Sequence, residues 1–583
     1  MPSPNAKPDT TGRYAESVDR TTRAMIAEAT QGIAPSALMT AWADWAIHMV
    51  AAPGTQTALW ERAAHDAGEF AQRALRVSTG GDGENGDSAP RADDRRFRAE
   101  GWQAPPFSLM RDAFLTWEGW WDAATTGVRG VSPENEKIVN FATRQMLDVF
   151  SPSNNPALNP EVLAKTRETA GMNFVKGALH MLEDLSAPAG EATESPPQFK
   201  LGEGLATAPG KVVARNHLME LIQYSPTTDT VHPEPVLITP AWIMKYYILD
   251  LSPHNSLVRW LVDQGFTVFM ISWRNPGSED RDLGMDDYLD MGPLAALDAV
   301  QAITGADRVH GVGYCLGGTL LAIAAAAMTR RGDERLASLS LFAAQTDFSE
   351  AGELRLFISE SQIALLEDMM WRQGYLDSSQ MAGAFTMLRS NDLLWSRMVR
   401  EYMMGERPDP IDLMVWNADT TRMPARMHSE YLRWLFLENR LTFGKYEVHG
   451  RKVSLTDLRL PILAVGTETD HVAPWKSVFK IQRLTETETT FILTNGGHNA
   501  GIVSEPGHKR RHYRIATTHR DDCFIDADAW YARNAPEPGS WWPAWGAWLA
   551  QRSGARTAPP PLGNARAGLA PLCDAPGTYV LQD

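Results

Sequence analysis

The 583-residue sequence has little cysteine, no excess of positive charge and no long apolar run. Its three cysteines, Cys315, Cys523 and Cys573, are too few and too scattered for a disulfide framework or a thiolate metal cluster. A reducing compartment is therefore expected, and any special thiol has to act alone. Lys plus Arg number 55 against 71 Asp plus Glu, a net charge of −16. A surface with that balance repels phosphate backbones and anionic lipid, so nucleic acid is not an expected partner. No stretch reaches the ~18–20 apolar residues of a transmembrane helix, and the first residues, Met1-Pro-Ser-Pro-Asn-Ala-Lys-Pro, lack the apolar core of a secretory signal. The expectation is a soluble, cytoplasmic protein without a transmembrane segment. No dinucleotide fingerprint, metal-ligand cluster, internal repeat or heptad run is present, so neither a metal nor a resident cofactor is expected.

What the chain has is a globular composition, 44% hydrophobic and 22% charged, with 20 tryptophans. The length allows several domains and a large core. Three stretches rich in Gly, Pro, Ser and acidic residues, Thr79–Asp94, Ser186–Pro197 and Ser553–Leu562, read as linkers or exposed loops. Segments such as Lys137–Val149 and Pro160–Leu185 carry apolar residues at helical spacing, so residues 1–195 read as a mostly helical N-terminal domain. It holds no nucleophile or phosphate loop, and Trp117, Trp120 and Trp121 are its candidate apolar contacts, either with partners or within ordinary helix packing.

Beyond residue 200 the texture changes to short, fully apolar runs separated by helical patterns. Examples are Pro235-Val-Leu-Ile-Thr, Thr267-Val-Phe-Met-Ile-Ser-Trp, Val309–Tyr314, Leu339-Ser-Leu-Phe, Ile462-Leu-Ala-Val and Thr490-Phe-Ile-Leu-Thr. Such runs predict a parallel sheet covered on both faces, hence an α/β domain over residues 196–583. From about residue 347 to 448 the pattern gives way to a Met- and Trp-rich helical stretch, too long for a simple crossover. It is expected to be a cap inserted over a site.

The informative segment is Val309-His-Gly-Val-Gly-Tyr-Cys-Leu-Gly-Gly-Thr, an apolar strand entering Gly313-Tyr-Cys315-Leu-Gly317 before a run of strong helix formers. This is the form of the G-x-S-x-G nucleophile elbow with cysteine in the serine position, and it points to an α/β-hydrolase fold. The glycines are needed where strand and helix approach closely, and the helix N-terminus favours a thiolate at Cys315. On this fold an acid and a base follow on loops after later strands. Asp470 follows the C-terminal end of the strand beginning at Pro461, with Glu468 the nearest rival acid. His498 follows the strand beginning at Thr490, with His471 the nearest rival base; His310, inside a strand, reads as a core residue. An oxyanion hole needs two backbone amides. Leu316, after the nucleophile, is one, and Trp242 or Ile243, after the strand Pro235–Ile238, the other.

These residues resemble the polyhydroxyalkanoate synthases, bacterial acyltransferases that polymerise 3-hydroxyacyl-CoA into storage polyester. The resemblance runs from about residue 93 to the C-terminus. It includes Phe150-Ser-Pro-Ser-Asn, Thr207-Ala-Pro-Gly-Lys-Val-Val, Lys245-Tyr-Tyr-Ile-Leu-Asp-Leu, Ser272-Trp-Arg-Asn-Pro, Gly313-Tyr-Cys-Leu-Gly-Gly, Asp392-Leu-Leu-Trp, Trp416-Asn-Ala-Asp, Asp470-His-Val-Ala-Pro-Trp and Gly539-Ser-Trp-Trp-Pro. The Tyr before Cys315 and the Gly-Gly after Leu316 look like class I enzymes, which act on short-chain monomers. The resemblance implies Cys315 as nucleophile and thioester carrier, His498 as general base and Asp470 as third member. It also implies no cofactor beyond the CoA of the substrate, a homodimer, and a place at the polymer granule surface, with the helical N-terminal domain serving interaction. The chain departs from the family twice. Pro240-Ala-Trp-Ile-Met stands where Pro-Pro-Trp-Ile-Asn is usual, and Gly-Gly-His498-Asn-Ala-Gly where Gly-His-Ile-Ala-Gly is usual. Both departures line the site and bear on monomer preference. A thioesterase or an intracellular polyester depolymerase on the same fold is the alternative, because a fold does not dictate its reaction.

Overall fold

The computed structural model describes residues 10–30, 32–79, 94–186, 197–377, 380 and 394–582. The stretches Thr79–Asp94 and Ser186–Pro197 lie almost wholly outside the described residues, as do Asp392 and Leu393. The chain divides into two compact units that are not sequential. One comprises Met1–Glu28, Ala192–Ser378 and Pro410–Asp583, the other Ala29–Glu191 and Ser379–Asp409. The division differs from a single cut near residue 195, because α1 (Thr10–Ala29) falls with the α/β unit and the middle of the inserted stretch with the helical one.

The helical unit is built from α2 (Pro35–Val50), α3 (Pro53–Ser78), α4 (Phe107–Thr125), α5 (Pro133–Val149), α6 (Pro160–Glu168) and α7 (Met172–Ser186). Proline opens four of these helices, α2, α3, α5 and α6, where its missing N–H has no partner to lose. Ser132 caps α5 by accepting from Asn135 N, and Asn159 caps α6 by accepting from Glu161 N and Val162 N. Phe97, Trp102, Phe114 and Leu147 form a buried cluster, with Trp121 packed against it. Trp120 donates to Leu59 O at 3.0 Å, while Trp117 is partly exposed. Residues 398–403 join this unit through α7. A Cβ on Gly177 would stand 1.8 Å from Tyr402 O, and Asn173 Nδ2 donates to Met403 O at 2.7 Å. That glycine lets two backbones touch, which explains why part of the inserted stretch leaves the α/β unit.

The α/β unit is organised around an eleven-stranded sheet. Its strands are β1 (Gly210–Arg215), β2 (Met219–Tyr224), β3 (Val236–Thr239), β4 (Val268–Trp273), β5 (Val309–Tyr314), β6 (Leu336–Phe342), β7 (Ile462–Thr467), β8 (Thr489–Thr494), β9 (His512–Thr518), β10 (Glu537–Pro538) and β11 (Cys573–Asp574). In space they run β10-β9-β8-β7-β6-β5-β3-β4-β2-β1-β11. The stretch from β4 through β3, β5, β6 and β7 to β8 is parallel, and antiparallel strands extend both edges. Every residue of β3, β4, β5, β7 and β8 is buried, as their apolar runs require. His310 in β5 is satisfied by Ser338 Oγ at 2.7 Å and Ser553 Oγ at 3.0 Å, and burial pushes its pKa down to about 4. It is a neutral core residue.

Helix α8 (Leu316–Arg330) follows β5 directly. The inserted stretch contributes α9 (Glu360–Gln373), α10 (Asp412–Ala418) and α11 (Ala425–Tyr431) to this unit, and α1 lies against α9 through Arg23–Asp368 at 3.4 Å. Met369 and Met370 are buried packing residues. The C-terminal helix α12 (Trp542–Ala550) packs its tryptophans inward: Trp545 Nε1 donates to Ser340 Oγ and Trp548 Nε1 to Thr490 Oγ1. Ser553–Leu562 is not a free linker. Thr557 bridges to Val231, and Pro561 O accepts from Gln223. Among the described residues no helix is long and apolar enough to cross a membrane.

Candidate active site

Cys315 occupies the single residue between β5 and α8 and is buried, with φ +52° and ψ −125°. That strained conformation is held by close backbone approach on both sides. A Cβ on Gly313 would lie 2.3 Å from Gly318 Cα, and one on Gly317 would lie 2.2 Å from Thr239 O. The glycine spacing is thus a steric requirement. Cys315 N donates to Phe342 O at 2.8 Å, tying the turn to β6. Leu316 is the first residue of α8, and its N–H is one of the four that a helix leaves without an intrahelical acceptor.

The loops after β7 and β8 bring Asp470 and His498 together. His498 Nδ1 stands 2.8 Å from Asp470 Oδ2. The remaining capacity of the carboxylate is filled: Thr467 Oγ1 donates to Oδ2 at 3.0 Å, and the amides of Val472 and Ala473 donate to Oδ1 at 2.8 Å each. Burial alone would raise the Asp470 pKa, but the His498 charge and these hydrogen bonds hold it below the usual carboxylate range. Burial likewise disfavours an imidazolium at His498. The charges of Asp470 and Cys315 and hydrogen bonding to both outweigh it, so His498 is held well above the ordinary histidine value. A thiol beside an imidazole that is oriented by a carboxylate can form a covalent acyl intermediate.

The rivals lie elsewhere. Glu468 faces His512 at 3.4 Å, and His471 is exposed. Cys523 is exposed and Cys573 lies at the sheet edge in β11.

Several residues around the site had no role assigned from the sequence. Trp541 Nε1 donates to Gly501 O at 3.1 Å and Trp542 Nε1 to Ile502 O at 3.0 Å, so the C-terminal tryptophans hold the loop that carries His498. Gln345 Nε2 donates to Val472 O at 2.7 Å, bracing the Asp470 loop. Tyr431, from the inserted stretch, is buried against Trp242 with ring centroids 6.3 Å apart, and burial, with the Cys315 charge adding to it, pushes its phenol pKa well up. The spacing of these residues in sequence gave no signal, because each acts through the fold. Trp242 and Ile243 sit on the loop after β3, whose Thr239 and Pro240 carbonyls abut Gly317.

The chain matches three family profiles: "Poly-beta-hydroxybutyrate polymerase (PhaC) N-terminus" over residues 93–261, "Poly-beta-hydroxybutyrate polymerase N terminal" over 13–55, and "alpha/beta hydrolase fold" over 234–505. It is 39% identical over 491 residues to the poly(3-hydroxyalkanoate) polymerase subunit of Rhizobium meliloti, covering 84% of this chain and 79% of that one. The Methylorubrum extorquens poly(3-hydroxyalkanoate) polymerase is 40% identical over 496 residues, covering 84% and 81%. The polymerase subunit of Cupriavidus necator is 35% identical over 502 residues, covering 84% and 83%. The chain belongs to the poly(3-hydroxyalkanoate) polymerase family, whose members are acyltransferase-type enzymes with an α/β-hydrolase fold.

Proposed function

We propose that this polymerase joins short-chain (R)-3-hydroxyacyl units, such as 3-hydroxybutyryl, from their CoA thioesters into polyester, carrying the growing chain on Cys315. The observation that carries the reading is the buried Cys315 at its strained turn beside the 2.8 Å His498–Asp470 pair. In the first step His498 takes the thiol proton, Cys315 Sγ attacks the acyl carbon, and CoA leaves as its thiol with a proton returned to it. One thioester replaces another, so the acyl group stays activated. In the second step the 3-hydroxyl of another unit attacks that carbon, its proton passes to His498, and the C–S bond breaks. A thioester becomes an oxoester, which is downhill, so cysteine suits chain growth better than serine would. Each proton transfer by a placed base contributes ~10²–10⁴ in rate. The Leu316 amide and one from Trp242 or Ile243 stabilise the tetrahedral oxyanions.

The reading extends to a homodimer working at the polyester granule surface. What supports an interaction role for the helical unit is α7, which exposes Val175, Leu179 and Leu182 at helical spacing.

The test is to incubate the purified protein with 3-hydroxybutyryl-CoA and follow free CoA and the fate of the acyl product. CoA release with insoluble polyester, abolished in Cys315→Ala, is expected. Release with only soluble 3-hydroxybutyrate would make the chain a thioesterase, and activity confined to longer monomers would overturn the short-chain assignment.

A further inference from the structure

The inserted stretch does more than lie near the site, because one short segment of it is bonded to both loops that flank Cys315. Residues 416–421 run along the loop after β3. Thr420 bridges Met244 in antiparallel register, Thr421 N donates to Ile243 O at 3.1 Å, and Lys245 N donates to Asp419 O at 3.4 Å. Trp416 Nε1 donates to Lys245 O at 2.8 Å. The Thr421 hydroxyl, on a side chain only 1% exposed, donates to Trp242 O. From the same segment Asn417 Oδ1 accepts from Asn499 Nδ2 at 3.0 Å. Asn499 follows His498 directly, and its Oδ1 accepts from the hydroxyl of Tyr314, the residue before Cys315, at 2.6 Å. The Tyr314 ring lies 5.7 Å from the His498 ring, centroid to centroid. Asn499 is also one of the two places where the chain departs from the family pattern.

A trans peptide is planar, with its C=O and N–H pointing in opposite directions. Among the described residues the only cis bonds are Pro105-Pro106 and Ala575-Pro576, so the Trp242–Ile243 bond is trans. Fixing Trp242 C=O toward Thr421 therefore turns the Ile243 N–H away from the inserted segment. We propose that Thr421 is a positioning residue that aims the Ile243 amide as the second oxyanion donor, and that Asn417, through Asn499, steadies the base loop from the same segment. The inference rests on the reading of Cys315 as nucleophile and deepens it. The oxyanion donor and the base are then set by one stretch of the inserted region, so a displacement of that stretch switches off both at once.

The experiment compares two reactions of Cys315 in the full-length protein. Acylation by 3-hydroxybutyryl-CoA, read as the first-turnover release of CoA, passes through an oxyanion. Alkylation by iodoacetamide needs the thiolate and creates no oxyanion. Thr421→Val, which keeps shape and removes the hydroxyl, is expected to slow acylation at least tenfold while leaving alkylation within twofold; loss of a whole donor typically costs ~10²–10³. Thr421→Ser, which restores the hydroxyl, is expected to recover most of the acylation rate. Asn417→Ala is expected to slow both reactions. Native-rate acylation in Thr421→Val overturns the proposal, and so does a parallel loss of alkylation. Thr421→Ala gives the same comparison should the valine variant fail to fold, and unchanged alkylation in Asn417→Ala removes the base-loop half. CoA release at the native rate by Cys315→Ala would instead overturn the underlying nucleophile assignment.

Discussion

Asp470 fixes one face of His498 while the residues of its own loop hold the carboxylate in place. Its Oδ2 meets His498 Nδ1 at 2.8 Å, while Thr467 and the Val472 and Ala473 amides saturate the rest. A carboxylate so fully held cannot rotate away, and with Nδ1 fixed the imidazole keeps Nε2 for the Cys315 side.

Replacing Asp470 by Asn tests that relationship through pH. The Asp470 pKa is lowered in the fold, so its stabilisation is present above the unfolded value of ~3.9 and is lost as pH falls through the folded one. The His498 pKa is raised, so its share is full below ~6.5 and is lost as pH rises through its folded value. The stabilisation from the pair is therefore complete between about pH 4 and 6.5. The melting temperature of Asp470→Asn should fall furthest below that of the parent protein in this window, and the gap should close under more acidic conditions. A gap independent of pH would mean that the two groups are not charge-coupled.

On the proposed reading, Cys315→Ser keeps a nucleophile but changes the leaving group. An acyl-serine is an oxoester, so attack by a 3-hydroxyl gains no free energy from it, and the chain-growth step loses its driving force. Polymer yield should collapse even where a single acyl group can still be transferred. Mass spectrometry of the quenched variant should find one acyl unit on the introduced serine and no ladder of longer chains.

Gly317→Ala places a methyl group 2.2 Å from Thr239 O, a backbone atom with no room to retreat. Overpacking of this kind costs ~1–3 kcal/mol or more. Thermal or urea unfolding should show at least that loss, with Cys315 alkylation slowed because the elbow itself shifts. Gly507→Ala, where nothing lies within 4 Å, supplies a less crowded comparison, although its φ of +92° adds its own strain.

Trp541→Phe retains a large aromatic ring but loses the N–H that holds Gly501 O. The direct cost is about 1 kcal/mol. The expected functional signature is a fall in kcat larger than the change in KM, because Gly501 belongs to the loop that carries His498 and the substitution removes no group aimed at substrate. A change confined to KM would contradict it.

The α/β texture after residue 200, the glycine-flanked Cys315 and the order Cys315, Asp470, His498 were all legible in the sequence, because each is dictated by local constraints. Fully buried parallel strands need unbroken apolar runs, a strained turn needs glycine where backbones collide, and active-site loops follow the C-terminal ends of strands. Local pattern could not reveal which distant segments meet. α1 joins the α/β unit through Arg23 and Asp368, 345 residues apart. Residues 398–403 leave the inserted stretch for α7, because Gly177 and Asn173 receive their backbone. Trp541 and Trp542 support the His498 loop from 40 residues away, and Thr421 reaches Trp242 across 179. Their contacts are hydrogen bonds to backbone carbonyls, which any residue can supply. The sequence by itself thus determined the strands, the strained turn and the loops on which the candidate residues lie, through steric and periodic rules that act within a few positions. Only the tertiary structure decided what holds them still, because the partner of a backbone carbonyl is set by packing and not by the identity of the residue that bears it.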